Sequence, residues 1–370
     1  MPTRSFPPRP DEDDRDAMDS TPEELFGMLS GEEDEDLEIV VSERGTEWGS
    51  DDGGTPLPLD VPGPERVARF FEGLNRTTGM GGQLELIADL DRPSVEDFQQ
   101  RFAQLPGPVR GNLIGRLNVA AANQFDLQFG RLFVALLGDE DAVVRQRAVQ
   151  GLADEQSPEV LAVLVGMAES DYSVDVRVAA VAALTAYAED AAAGDDVGMD
   201  ADELRDVLET IAVDEAEPAA LRRQAMESLA VFGSRGAEAF TSVVAELIVD
   251  AYDDGESVDQ AAALSAMGRT LDPRWLPYIE RDLDHADEEV RLAAVVAAGH
   301  LGDTTLVEAV TARTKDDDDD VRLAAIRSLG QIASPGAVRV LRNLAQDPER
   351  DDHDAIDEAL EEATLGDDIS

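Results

Sequence analysis

No cysteine occurs in this chain, so disulfides and thiolate metal sites are both excluded. Lysine is nearly absent as well: Lys315 is the only one, and every other basic residue is arginine. No stretch approaches the roughly 18 uninterrupted apolar residues of a membrane helix, and the N-terminal MPTRSFPPRPDEDD lacks the apolar core of a secretion signal. A soluble, cytoplasmic protein with no membrane partner is the expectation. The vocabulary of catalysis is thin too. There is no Gly-x-Gly-x-x-Gly, no P-loop lysine motif and no Gly-x-Ser-x-Gly. The three histidines, His285, His300 and His353, begin no His-Glu pair, and His300 is expected at a surface position of a helix. The run Lys315–Asp320 lacks the turn glycine, alternating oxygen ligands and distal glutamate of a calcium loop, and reads as a solvated turn leading into a helix. No catalytic residue, metal ligand or cofactor is assigned.

What the chain has in abundance is acid. There are 81 acidic residues against 30 basic ones, a formal net charge of −51. A surface built for one basic partner would gather that charge on one face. Here carboxylates decorate the N-terminal stretch, the turns (Asp139–Asp141, Asp253–Glu256, Asp316–Asp320), the Glu189–Asp202 segment and the C-terminus alike. Spread acid with almost no lysine points to a halophilic cytoplasm. At molar salt the Debye length shrinks to about 3 Å, so charge neither steers partners from afar nor drives the chain apart.

A short phrase recurs within this acidic background. Asp-x-x-Val-Arg-x-x-Ala-x-x-x-Leu is complete at Asp141, Val144, Arg145, Ala148, Leu152 and at Asp318, Val321, Arg322, Ala325, Leu329. It is nearly complete at Asp287, Val290, Arg291, Ala294, with Ala298 in the leucine slot. Worn copies sit at Val176, Arg177, Ala180, Leu184 and at Leu221, Arg222, Ala225, Leu229. The apolar slots fall four residues apart, on one helix face, and the leading aspartate suits an N-cap. An amphipathic run precedes each phrase, so each unit is a helical hairpin too small to hide its own apolar faces, and neighbours must stack. The spacing is 32 residues from Val144 to Val176 and 31 from Val290 to Val321. It widens to 45 from Val176 to Leu221, with the excess in Glu189–Asp202, expected as an exposed loop.

These residues resemble the HEAT-repeat family, and the period near 31 with Val-Arg-x-x-Ala is closest to its short, phycobilisome-lyase-type subclass. The resemblance spans about residues 95–365. It implies an all-α, right-handed α-solenoid of about seven or eight hairpins, whose second helices line a concave face. In the family, aspartates and arginines form a ladder between repeats. Carried over by position, that ladder comprises Asp141, Asp287 and Asp318 with Arg145, Arg177, Arg222, Arg291 and Arg322, interrupted at Asp259 and Gln260. HEAT-like hydroxylases hold two irons with repeated His-Glu pairs, which this chain lacks. HEAT-like DNA glycosylases need a basic groove, whereas the arginines here fall at ladder positions among many acids, so nucleic acid is not an expected partner. The implied function is a non-catalytic scaffold or adaptor for other proteins. The alternative, on subclass resemblance, is an accessory subunit of an enzyme such as a prosthetic-group lyase.

Residues 1–62 read differently, as an acidic, Pro-rich disordered tail before an array over 63–370. Within the tail, Thr21-Pro22-Glu23-Glu24 is a capping box leading into Leu25, Phe26, Met28 and Leu29, a candidate docking motif. Helices are expected around Pro64–Leu74 and Gln83–Leu90 as an N-terminal cap, and around Asp354–Ala363 as a C-terminal one. Trp275 is expected to pack at a repeat edge.

Overall fold

The computed structural model describes residues 61–74, 84–124, 127–153, 155–234, 238–348 and 350–365. Residues 1–60 of the expected tail, with the Leu25, Phe26, Met28, Leu29 motif, lie outside the described residues. Among these there is no strand, and seventeen α-helices follow one another.

The first helices of the hairpins are α2 (Arg92–Phe102), α4 (Gly130–Leu136), α6 (Pro158–Ser170), α8 (Ala201–Val213), α10 (Glu238–Asp254), α12 (Leu276–Asp282), α14 (Val307–Arg313) and α16 (Pro335–Leu344). The second helices are α3 (Gly107–Asn123), α5 (Ala142–Gln150), α7 (Val174–Ala193), α9 (Ala219–Leu229), α11 (Ser257–Arg269), α13 (Glu288–Leu301), α15 (Asp319–Ile332) and α17 (His353–Leu365). The second helices form one continuous row, each packed on the next from α3 to α17. Ahead of this eight-hairpin stack lies α1 (Gly63–Leu74), packed on α2.

The repeated phrase explains the row. Val144, Val176, Leu221, Val290 and Val321 are wholly buried, as are Ala148, Ala180, Ala225, Ala294 and Ala325. The leucine slot closes the same stripe, with Leu184, Leu229, Ala298 and Leu329 at zero exposure. Each large aliphatic so buried contributes about 1.5–3 kcal/mol. Small residues let the row close up. A Cβ on Gly268 would stand 2.6 Å from Ala297 Cα, and one on Gly330 would stand 3.0 Å from Ala359 Cα. At the N-terminal end Phe70, Phe71, Phe98 and Phe102 make an aromatic plug, with Phe70 and Phe71 edge-to-face at 5.4 Å between centroids. At the other end Ile356, Ala359 and Ala363 bury the inner side of α17.

Two expectations need correction. The Glu189–Asp202 segment is not a loop throughout: α7 continues to Ala193, stops at Gly194 with φ 98°, and Val197 is buried beyond it. The alanine-rich EDAAA favours helix, and it is the glycine, free to turn left-handed, that ends it. Around Gln83–Leu90 the described residues hold only a 3-10 turn, Leu84–Leu86, followed by Asp89 at φ 44°.

Candidate interaction face

The polar residues of the phrase fall into two groups that the sequence had joined. Asp141, Asp287 and Asp318 are N-caps: their carboxylates accept the N–H of Val143 (2.9 Å), Glu289 (3.0 Å) and Val321 (3.0 Å). Capping is their main role, which corrects their assignment as the partners of Arg145, Arg291 and Arg322; Asp141 also stands 4.0 Å from an arginine of the preceding repeat, Arg110. The ladder acceptor is an aspartate two residues earlier. Arg145 reaches Asp171 in the next repeat at 2.7 Å, and Arg291 reaches Asp316 at 2.8 Å. Each acceptor also takes the cap residue's own N–H, Ser173 to Asp171 at 2.9 Å and Asp318 to Asp316 at 3.2 Å. One carboxylate therefore fixes the turn and ties it to the preceding repeat.

Arg145 and Arg291 brace their own turns too, donating to the carbonyls of Asp139 and Glu140, and of His285 and Ala286. Burial pushes the Asp316 carboxyl up, yet the Arg291 hydrogen bond, the Asp318 N–H and the charges of Arg291 and Arg313 hold it below the usual carboxylate range. The same ion pair raises Arg291. Arg177 uses a glutamate instead, Glu217, at 2.6 Å.

The remaining positions depart from this pattern. Arg110, outside the expected ladder, is 5% exposed and holds Asp139 at 2.9 Å and Glu140 at 3.1 Å. Arg222 donates only a long 3.5 Å hydrogen bond, to the Ala212 carbonyl. Arg322 stays within its own turn, on the carbonyls of Asp316 and Asp317 and the carboxylate of Asp319. In the slot of α11 stands Gln260, which donates to buried Asp282 at 3.0 Å beside the Tyr252 hydroxyl. Trp275, 4% exposed, packs edge-to-face with Tyr278.

The phrase consumes three sides of each second helix: one on its hairpin partner, two on neighbours. The remaining, partly open face carries the residues five, nine and thirteen positions after each N-cap; most are half-buried or exposed, with Gly111 and Val231 buried. On α3 these are Gly111, Gly115 and Val119; on α5, Gln146 and Gln150; on α7, Val178, Ala182 and Ala186. From α9 to α15 they are Arg223, Glu227 and Val231; Ala261, Ser265 and Arg269; Leu292, Val296 and His300; Leu323, Arg327 and Gln331. From α3 to α15 that line holds a single carboxylate, Glu227, in a chain where acids outnumber bases by 81 to 30, whereas the same positions on α17 are the exposed Asp357 and Glu361. Along α3, Gly111 and Gly115 leave room for Arg147, whose guanidinium donates to the Gly111 carbonyl.

The single carboxylate is covered. Arg269, at the end of α11, crosses α9 to pair with Glu189 on the extension of α7 at 2.6 Å, while Arg223 pairs with Asp259 at 2.8 Å. Beneath these pairs burial pushes Glu227 up to about 7, against the opposing pull of Arg269 and Arg223. Beyond Arg269, His300 is half-buried rather than on the surface. Burial first, then the Arg269 charge, lowers it, and its Nδ1 is enclosed without a hydrogen-bond partner. On the first-helix side a cleft of about 590 Å³ lies where the repeat spacing is longest. It is walled by Glu169, Glu203, Asp206, Asp214 and Glu217 with Arg177. Among the described residues no cluster of side chains suits a metal ion, and no helix is long and apolar enough to cross a membrane.

Comparison with the curated proteins finds no relative by sequence. Solved structures with similar folds include the complex of CpcE and CpcF of phycocyanin lyase from Nostoc sp. PCC7120 (17% identity, 63% of this chain and 94% of that chain, TM-score 0.42). Human deoxyhypusine hydroxylase is similar at 15% identity over 82% of this chain and 97% of that one, TM-score 0.32. Kap95p bound to RanGDP is similar at 14% identity over 81% and 41%, TM-score 0.38. The family profile described as HEAT repeats matches residues 131–196, 245–320 and 278–361. With the recurring phrase, the row of second helices and this match in agreement, the chain belongs to the HEAT-repeat proteins.

Proposed function

We propose that this protein is a non-catalytic scaffold that holds another protein on the open face of its second helices, in a high-salt cytoplasm. The observation that carries the reading is the single carboxylate, Glu227, along that face from α3 to α15. Adaptation to salt spreads acid over every surface that meets only water. A stretch kept nearly free of it, and lined with glycine, alanine, valine, leucine and arginine, has the composition of a surface that meets protein. The ladder arginines serve packing between repeats, so they leave the face intact and are not its contacts. The accessory-subunit alternative stays with the resemblance that suggested it.

The test places a photocrosslinking residue at Val296 on the open face and, separately, at Arg339 on the outer face of α16. Irradiation is in lysate at high salt. A discrete adduct at Val296 that is missing at Arg339, and lost on adding Leu323→Glu, supports the face. Equal adducts at both positions would sink it.

A further inference from the structure

The open face is not uniform, and its second half carries recognition chemistry. Leu292, Val296 and Leu323 form a partly exposed aliphatic patch on α13 and α15. An arginine stands on each side, Arg269 on α11 and Arg327 on α15. Arg327 is exposed and has no ion-pair partner among the described residues. Arg269 does have one, but that partner is unusual: Glu189 belongs to α7, 80 residues earlier, and its side chain is 53% exposed. A pair this open to solvent contributes little, so exchanging Glu189 for another carboxylate costs little.

We infer that the face from α11 to α15 takes an acidic, aliphatic segment of a partner protein. Arg269 and Arg327 receive its carboxylates on either side of Leu292, Val296 and Leu323, and Glu189 holds Arg269 until the segment arrives. This deepens the scaffold reading and rests on it. Charge complementarity selects the occupant: a basic segment finds carboxylates on the turns and outer helices but meets arginine here. The overall charge of −51 opposes an acidic partner only over distances that molar salt screens, while contact pairs survive. Geometry sets the spacing. Arg269 and Arg327 lie two helices apart in the row, about 16–20 Å at the usual interaxial distance. An extended segment covers that in about six residues at roughly 3.3 Å each, with its side chains alternating toward the patch.

The probe is the fluorescein-labelled peptide Glu-Ser-Val-Ser-Val-Ser-Glu, titrated by anisotropy against the full chain at a salt concentration where its helical circular dichroism is constant. The expected result is saturable binding, weakened about tenfold by Arg327→Glu. Glu189→Gln should tighten it about twofold to fivefold, the range an exposed ion pair spans. The same peptide with lysine for glutamate should not bind. No binding at millimolar protein, equal binding of the lysine peptide, or indifference to both variants would overturn the inference. If the Val296 crosslink is specific while the glutamate peptide fails, the scaffold stands and the acidic partner falls. If Val296 crosslinks only to a second copy of this chain, the acidic-segment inference is also overturned.

Discussion

Replacing Glu227 by glutamine isolates what burial beneath the Arg269–Glu189 pair does to this carboxyl. Its pKa rises from an ordinary 4.5 to about 7, because α7 and α11 close over α9 and remove water from around it. A carboxyl raised on folding contributes stability that is fully present below about pH 4.5 and is lost as pH climbs through 7. Each unit is worth about 1.4 kcal/mol, so the ceiling on that loss is about 3.5 kcal/mol. Glutamine keeps the shape and never ionises. The Glu227→Gln variant should therefore match its parent near pH 4.5 and exceed it by about 1–3 kcal/mol at pH 8. The groups facing the site, Arg223, Arg269, Glu189, Asp259 and His300, are common to both proteins, so their titration largely cancels in the difference. Urea midpoints of helicity at fixed KCl, taken from pH 5 to 8.5, read it directly. A difference that stays flat with pH, or a variant weaker than its parent at pH 8, would refute the reasoning.

Three other outcomes follow from the same geometry. Arg291→Ala should cost about 1.5–3 kcal/mol, as a half-buried charged hydrogen bond to the next repeat, whereas Arg322→Ala and the solvent-exposed Arg281→Ala should each cost about 1 or less; urea denaturation separates them. Asp316 is depressed, so its contribution is present at neutral pH and lost as pH falls through its folded value, below the usual carboxylate range; Asp316→Asn should weaken the array at pH 7, and the difference in thermal melting should shrink as pH falls through that range. Transfer from multi-molar KCl to about 0.1 M should lower the helical melt, because the net charge of −51 is no longer screened.

The second helices were legible because one phrase encodes both cap and stripe: Asp141, Val144, Ala148 and Leu152 mark where α5 starts and what it buries. The rungs were not. Asp139, Glu140 and Asp141 are chemically alike in sequence, and only the backbone turn decides that the first holds Arg110 of the preceding repeat most closely while the last caps the helix. Arg322 shares its neighbours' motif but lacks a rung, since the residue two before the cap of α17 is Arg350 rather than an aspartate. Glu227 and His300 carry no local signal whatever. Their burial, and the Arg269 charge that acts on both, arise only once the hairpins stack.

The two systems of ion pairs act on opposite rims of the stack. The rungs formed by Arg110, Arg145, Arg177 and Arg291 lie at the starts of the second helices, like stitches along one edge of a pile of plates. Between α9 and α13 the arginine rung is replaced rather than lost: Arg223 pairs with Asp259 at 2.8 Å and Gln260 donates to Asp282 at 3.0 Å near the helix starts, while Glu189 to Arg269 adds a tie at the helix ends. A pile sewn on one rim hinges open along the other. Under a bending load a stretch tied at the starts alone gapes at the ends of its second helices, whereas the stretch from α7 to α11 carries ties at both rims. A carboxylate that takes Arg269 from Glu189 frees the end-side rim there and leaves the pairs at the helix starts closed.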